Sequence, residues 1–339
     1  MDLPLIRNGE RVDYKRCMKK WYWRWRMGLV PKAASFGALE LGTWVHAALG
    51  GWYGEGYARN GNLPDHFLSA AEASISDAAK AQAPSYVLER AEELAALGEA
   101  MMQAYERHYG KDRDVFVLAV EVPLEFTMSD YGGKLVATHR LKPDMVYADR
   151  SKAVRLMENK TAATIRTGHL ALDDQARPYG AMAERSLKQA GVIGAKESVS
   201  GITYNFMRKA LPDERPTNAK GLYLNKNGTV SKKQPPALFL RHPVPMTKPA
   251  KLIALQRIRD EAVEITSLAR LLRNGHADPM RLTKTPHTSC EKFCNYFTMC
   301  VAEEQGTDIT VMRRSMFVQQ DPYAYAEDTT DVPSSFEMG

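Results

Sequence analysis

Apolar positions recur at helical spacing through the first third of the chain, then change to strand texture near residue 115. Residues 11–30 predict a helix that carries Trp21, Tyr22, Trp23 and Trp25 among basic side chains. A second helix is expected near Ala38–Tyr53, with Trp44, His46 and Trp52. Residues 65–109 read as mostly helical, through Leu88, Leu94, Leu97, Met101 and Tyr105. Val115–Phe126 and Lys134–Tyr147 alternate in part and hold β-branched and aromatic residues, so each predicts a strand, with a turn at Tyr131-Gly132-Gly133. Ala153–Met157 continues as a third strand. A helix over Leu172–Lys188, a strand over Gly201–Met207 and a hairpin at Asn227-Gly228 follow. Lys248–Arg273 reads as a long amphipathic helix, and the remainder as irregular. This order predicts a mixed sheet flanked by helices, an α/β or α+β core, with no internal repeat.

Length and composition narrow the class. A chain of 339 residues buries a large core and has room for one large domain or two small ones. No run of about 18 apolar residues is present, so no membrane-spanning helix is expected. The start shows no basic region followed by an apolar one, which predicts a cytoplasmic protein whose thiols stay reduced. The net charge is +6, and residues 1–32 alone hold nine Lys or Arg against three acids. From Val318 onward there are five acids and no base, so 318–339 is expected to be an acidic, mobile tail. A basic head suits a polyanion such as nucleic acid, with Lys15, Arg16, Lys19, Lys20 and Arg24 as candidate contacts. Read blandly, it is a solvated charged face.

One constellation carries chemistry. Pro143-Asp144 closes the second expected strand, and Glu158-Asn159-Lys160 ends the third. If those strands are neighbours, Asp144 and Glu158 converge and repel each other unless a cation sits between them. Hard oxygen ligands favour Mg²⁺ or Mn²⁺, which would polarise a phosphodiester and help ionise its water. Lys160, two residues after Glu158, shares its face and would orient or deprotonate the attacking water. Alone, this pattern is also met by an exposed ion pair at a strand end. His46 on the preceding helix, and Gln175 and Tyr179 on one face of the following helix, add to it.

The order His46, Asp144, Glu158-x-Lys160, Gln175-x-x-x-Tyr179 resembles the motif set of the RecB-like nucleases of the PD-(D/E)XK superfamily, across about residues 13–300. The resemblance implies a restriction-endonuclease-like mixed sheet and one domain over 1–317 with a helical insertion at 55–110. It also implies that His46, Asp144, Glu158 and the Asn159 carbonyl bind Mg²⁺ or Mn²⁺, that Lys160 is the catalytic lysine, and that Gln175 and Tyr179 position the lysine or the DNA backbone. The chain has Leu141-Lys142-Pro143 where the family usually places a Gly shortly before the Asp.

Cys17 stands alone near the start, while Cys290, Cys294 and Cys300 cluster near the end. Four thiolates can hold a [4Fe–4S] cluster or a tetrahedral zinc. The text around Cys17 (segment 13–30) and the Cys294–Cys300 gap (segment 286–302) resemble iron–sulfur RecB-like nucleases, which implies an iron–sulfur staple between the two ends of the chain. The gap from Cys290 to Cys294 is three residues where that family more often has two. Zinc, with His287 replacing a thiolate, and four reduced structural thiols are the other readings. The expected activity is a metal-dependent DNA exonuclease acting on ends or single strands in recombination, repair or phage DNA metabolism. A catalytically silent nucleic-acid-binding recombination partner is the alternative.

Overall fold

The structure, a computed structural model, describes residues 3–32, 36–173 and 176–324. Strand β1 (Leu5–Arg7) leads into α1 (Asn8–Arg16) and the short α2 (Met18–Trp21), which continues as a π-helical turn over Tyr22–Arg26. The expected helix over 11–30 is therefore broken at Cys17, whose backbone is extended with φ −165°. Strand β2 (Leu29–Pro31) follows, then α3 (Ala38–Trp52), α4 (Leu63–Lys80) and α5 (Ser85–Tyr109). Next come β3 (Phe116–Val120), β4 (Leu124–Ser129), β5 (Leu135–Leu141), β6 (Met145–Ala148) and β7 (Val154–Ala162). The second half holds α6 (Ala176–Gln189), β8 (Val199–Arg208), β9 (Phe239–Pro245) and α7 (Lys248–Arg273). Three short helices, α8 (Ser289–Phe293), α9 (Phe297–Glu304) and α10 (Thr310–Met316), and β10 (Phe317–Gln319) complete it.

The central sheet has the order β3-β6-β7-β8-β9, with β7 and β8 parallel and the other pairs antiparallel. A second sheet, β1-β5-β4, lies beside it. The two strands expected at 115–126 and 134–147 are each split in two, because Pro123 and Pro143 lack the N–H that a ladder needs. Glu121 turns the corner in the left-handed region (φ +46°), and its N–H donates to the Asp144 carbonyl across 3.1 Å. The antiparallel pairing survives the bend: β4 pairs with β5 in one sheet, and β3 with β6 in the other.

Alternation then sorts the strands' side chains onto two cores. Val146, Val154, Leu156, Tyr204 and Phe206 pack with Met182 and Leu187 of α6 and Ile258 of α7. Met145, Tyr147, Met157 and Met207 pack under α3, α4 and α5, against Trp44, Trp52 and Tyr105. Among the described residues no helix is long and apolar enough to cross a membrane.

The two chain ends meet. β2 pairs antiparallel with β10, and the Tyr296 hydroxyl donates to the Leu29 carbonyl across 2.7 Å. Lys19 reaches Glu303 at 2.6 Å in a pair that is almost wholly buried. The Tyr323 hydroxyl donates to Glu10 Oε2 across 2.6 Å. The expectation of a mobile tail from Val318 is corrected for its first residues: Val318 and Gln319 lie in the β2–β10 pairing, and the half-buried Tyr323 is tied to Glu10. The rest of that segment, 325–339, lies outside the described residues.

Candidate active site

Asp144 and Glu158 come together because β6 and β7 are antiparallel neighbours. Met145 is paired with Met157, so the next rung sets Asp144 opposite Glu158. Glu158 and Lys160 lie on the β7 face turned towards α6, and Lys160 Nζ sits 2.7 Å from Glu158 Oε1. Asp144 Oδ2 accepts the Asn159 N–H at 2.6 Å, and Asp144 Oδ1 lies 3.2 Å from His46 Nδ1. Helix α3 delivers His46 because it crosses close to β7: a Cβ on Gly42, one turn earlier, would lie 3.5 Å from Thr161 Oγ1.

The electrostatics describe one coupled group. Burial and the charge of Asp144 raise the Glu158 pKa, against the pull of Lys160 and His46. For Lys160, burial opposes the charge, yet Glu158, Asp144 and Asp173 outweigh it and raise the pKa. His46 follows the same pattern, with burial outweighed by Asp144 and Glu158. Tyr179 is near enough that, after burial, these two carboxylates push its phenol further upward. Gln175 lies outside the described residues.

The buried Glu158 and half-buried Asp144 carboxylates face each other, with an imidazole on one and an ammonium on the other, and are hard donors of the kind a divalent cation takes. Lys160 Nζ and the Asn159 N–H sit on carboxylate oxygens that such an ion would share. Among the described residues no three His, Cys, Asp or Glu side chains converge closely enough to hold a single ion as they stand. The Asn159 side chain turns away from this face and accepts from Asn205 Nδ2 at 2.8 Å.

Sequence reasoning missed Asp173, Asn205 and Glu121. Asp173 adds negative charge near Lys160 and accepts from the Tyr204 hydroxyl at 2.8 Å. Asn205 is a fully buried amide between Tyr204 and Phe206 in β8, which was a legible signal. Glu121 had none, since only the bend brings it to Asp144.

The basic head behaves differently from its sequence. Trp21, Trp23 and Trp25 are buried core anchors; the Trp21 and Trp25 indole N–H groups donate to Glu10 and Asp13, each at 3.0 Å. Lys19 is 1% exposed and binds Glu303 and the Pro279 carbonyl, so it offers nothing to a phosphate from this position. Lys20 and Arg24 are both paired with Asp13, Lys15 with Glu261, and Arg16 is bonded to the Ser289 hydroxyl.

All four cysteines line one cavity of about 660 Å³, together with Lys19, Lys20, Trp23, Lys284 and His287. Burial raises the Cys294 thiol pKa, and Cys290 and Cys17 add to it; burial, Cys17 and Cys294 do the same for Cys300. The four thiols are thus electrostatic neighbours, although Cys17 comes from the other end of the chain.

The PD-(D/E)XK nuclease superfamily profile matches residues 12–301, a span that contains every residue of this site. The chain belongs to the PD-(D/E)XK nuclease superfamily. Its mixed sheet flanked by helices is the architecture of that family. No curated protein sequence matches it. Among solved structures it resembles a candidate exonuclease from Eubacterium rectale, at 12% identity and a TM-score of 0.41, over 86% of this chain and 93% of that one. It also resembles the protein SSO0001, at 11% identity and a TM-score of 0.25, over 67% of this chain and 84% of that one. Likenesses this distant carry no argument about function.

Proposed function

We propose that this nuclease is a metal-dependent DNA exonuclease of the RecB-like branch, acting on ends or single strands in recombination, repair or phage DNA metabolism. The observation that carries the reading is the approach of Asp144, the residue before β6, to Glu158 of β7, close enough for its charge to raise the Glu158 pKa, with Lys160 on Glu158. Asp144, Glu158, His46 and the Asn159 carbonyl would hold Mg²⁺ or Mn²⁺, which supplies Lewis-acid polarisation of the phosphodiester and a more acidic water. Lys160 then orients the attacking water and stabilises the growing negative charge. The Asn159 N–H keeps Asp144 aimed at the shared position. Tyr179 and Gln175 position the lysine or the DNA backbone.

A [4Fe–4S] cluster on Cys17, Cys290, Cys294 and Cys300 belongs to the same reading. Its support is the common cavity, which gathers all four thiols at the junction of the two chain ends. The cluster would act as a staple.

The decisive experiment follows DNA labelled at the 5′ or 3′ end, single- and double-stranded, with Mg²⁺, Mn²⁺ or EDTA. Metal-dependent release from one end, lost by about 10³-fold or more in Lys160→Ala, is expected. Cleavage that ignores EDTA or survives Lys160→Ala overturns the site. Cutting of closed circular DNA makes the enzyme an endonuclease. Tight DNA binding without cleavage in any metal favours the silent-partner alternative.

A further inference from the structure

The positive charge that the sequence places at the N-terminus is largely consumed by the fold. Arg11 and Lys15 share Glu261, at 2.5 and 2.9 Å. Lys20 and Arg24 share Asp13, at 2.6 and 3.0 Å. Lys19 is sealed against Glu303, and Arg26 is paired with the buried Glu10. A phosphate arriving at this head would compete with carboxylates already in place.

The opposite holds between β8 and β9. Residues 209–238 contain six bases (Lys209, Arg215, Lys220, Lys226, Lys232, Lys233) against two acids, Asp213 and Glu214. Arg215 is paired with Asp213. Lys220, Lys226, Lys232 and Lys233 are all exposed, and none of them forms a salt bridge among the described residues.

This segment is shaped by its own hydrogen bonds. Asn218 Oδ1 accepts the N–H groups of Lys220 and Leu222, each at 2.9 Å. Bridges join Thr217 to Tyr223 and Leu224 to Val230, about a turn where Gly228 takes φ +79°. The Gln234 side chain clasps the Tyr223 N–H at 2.9 Å, and the Arg215 guanidinium lies 5.3 Å from the centre of the Tyr223 ring. Little of it is buried, yet it is an ordered arm.

Its root is beside the chemistry. β7 and β8 run parallel with Lys160 paired to Phe206 and Ala162 to Arg208. The Lys209 N–H donates to the Ala162 carbonyl at 2.8 Å, and the Arg208 N–H to the Leu238 carbonyl at 2.8 Å closes the base. Ala162 is two residues past Lys160, about 7 Å along the strand.

We propose that the 209–238 arm is the main phosphate-holding surface of this nuclease, binding the DNA backbone without regard to base sequence beside Lys160. The inference deepens the nuclease reading and rests on it. Exposed lysines without acid partners release condensed counterions from a polyanion, whereas lysines already paired gain much less. An ammonium contacts phosphate as a point charge and reads no base edge.

The test compares wild type with Lys220→Ala/Lys226→Ala/Lys232→Ala/Lys233→Ala. A control removes four exposed lysines elsewhere that form no salt bridge among the described residues (Lys111→Ala/Lys134→Ala/Lys196→Ala/Lys248→Ala) and has the same net charge. Binding of a short labelled single strand and its duplex is measured in EDTA against salt concentration. Each arm lysine removed is expected to lower the log–log salt slope by about 0.7 on a single strand and about 0.9 on duplex. In metal, the arm variant's KM rises several-fold while kcat at saturating DNA stays near wild type. An arm variant with the wild-type slope, or a control that loses as much, overturns the proposal. Because binding is read without metal, wild type that binds steeply but never cuts sinks the exonuclease reading and leaves the arm standing.

Discussion

Asn205 Nδ2 donates to Asn159 Oδ1 across 2.8 Å, and the same amide reaches the Tyr105 hydroxyl at 2.8 Å. Asn159 is the residue between Glu158 and Lys160, so this contact grips β7 from the side opposite the Glu158 carboxylate. Behind it, Arg241 binds Asp112 at 2.6 Å, Tyr53 at 2.9 Å and Tyr105 at 3.0 Å, and lies 3.8 Å from the centre of the Tyr109 ring. Asn205→Leu leaves Asn159 Oδ1 without its partner in a buried place, at about 1–3 kcal/mol, while the Tyr105 hydroxyl keeps Tyr53 and Arg241. The expected result is a lower melting temperature and a kcat reduced about tenfold or more, with KM for DNA nearly unchanged. Wild-type kcat in a folded Asn205→Leu sample would make the network purely structural.

His46→Ala removes the partner that lies 3.2 Å from Asp144 Oδ1. An imidazole raises affinity for Mn²⁺ more than for Mg²⁺. The defect should be deepest in Mg²⁺ and partly recovered at high Mn²⁺, read as activity across a titration of each metal. Equal activity at every concentration would mean that His46 only packs.

His139 links stability to pH. It is fully buried in β5, and burial, followed by the nearby Arg11 charge, lowers its pKa to about 3. The ordinary value is about 6.5, so below that pH the unfolded chain takes up a proton that the fold refuses. Its share of stability is complete above about pH 6.5 and is lost as pH falls towards about 3, on the order of 4–5 kcal/mol at most. His139→Phe should flatten denaturant midpoints between pH 6.5 and 4. An unchanged slope would place the acid sensitivity in other groups.

Cys17→Ala tests the cluster. Iron content and absorbance near 400 nm should fall in anaerobically purified protein, and the melting temperature with them. The N-terminal segment should nonetheless stay docked, because β2–β10 pairing and the Lys19–Glu303 pair hold it independently. Breaking that buried pair by Glu303→Ala strands a charge and should cost about 3–5 kcal/mol. Unchanged iron and melting in Cys17→Ala would make Cys17 an ordinary thiol.

Much of this was legible in the chain itself. Helix α7 appears at the expected Lys248–Arg273, and α3, β7 and β8 fall within a few residues of expectation, because apolar periodicity is a local property. The Asp144, Glu158-x-Lys160 pattern was visible for the same reason: it sits on two strands whose pairing follows from one hairpin. Tertiary structure alone decided the rest. The bend at Pro123 and Pro143 that sends one ribbon into two sheets depends on what each half packs against. Strand β9, weakly alternating and partly exposed, is a strand because β8 offers it an edge. Above all, the basic head looked free because two of the acids that neutralise it, Glu261 and Glu303, come from far along the chain, and because Asp13 and Glu10 of the head itself meet their bases only once it is folded. Charge is counted along the sequence, but it is screened or paired in space.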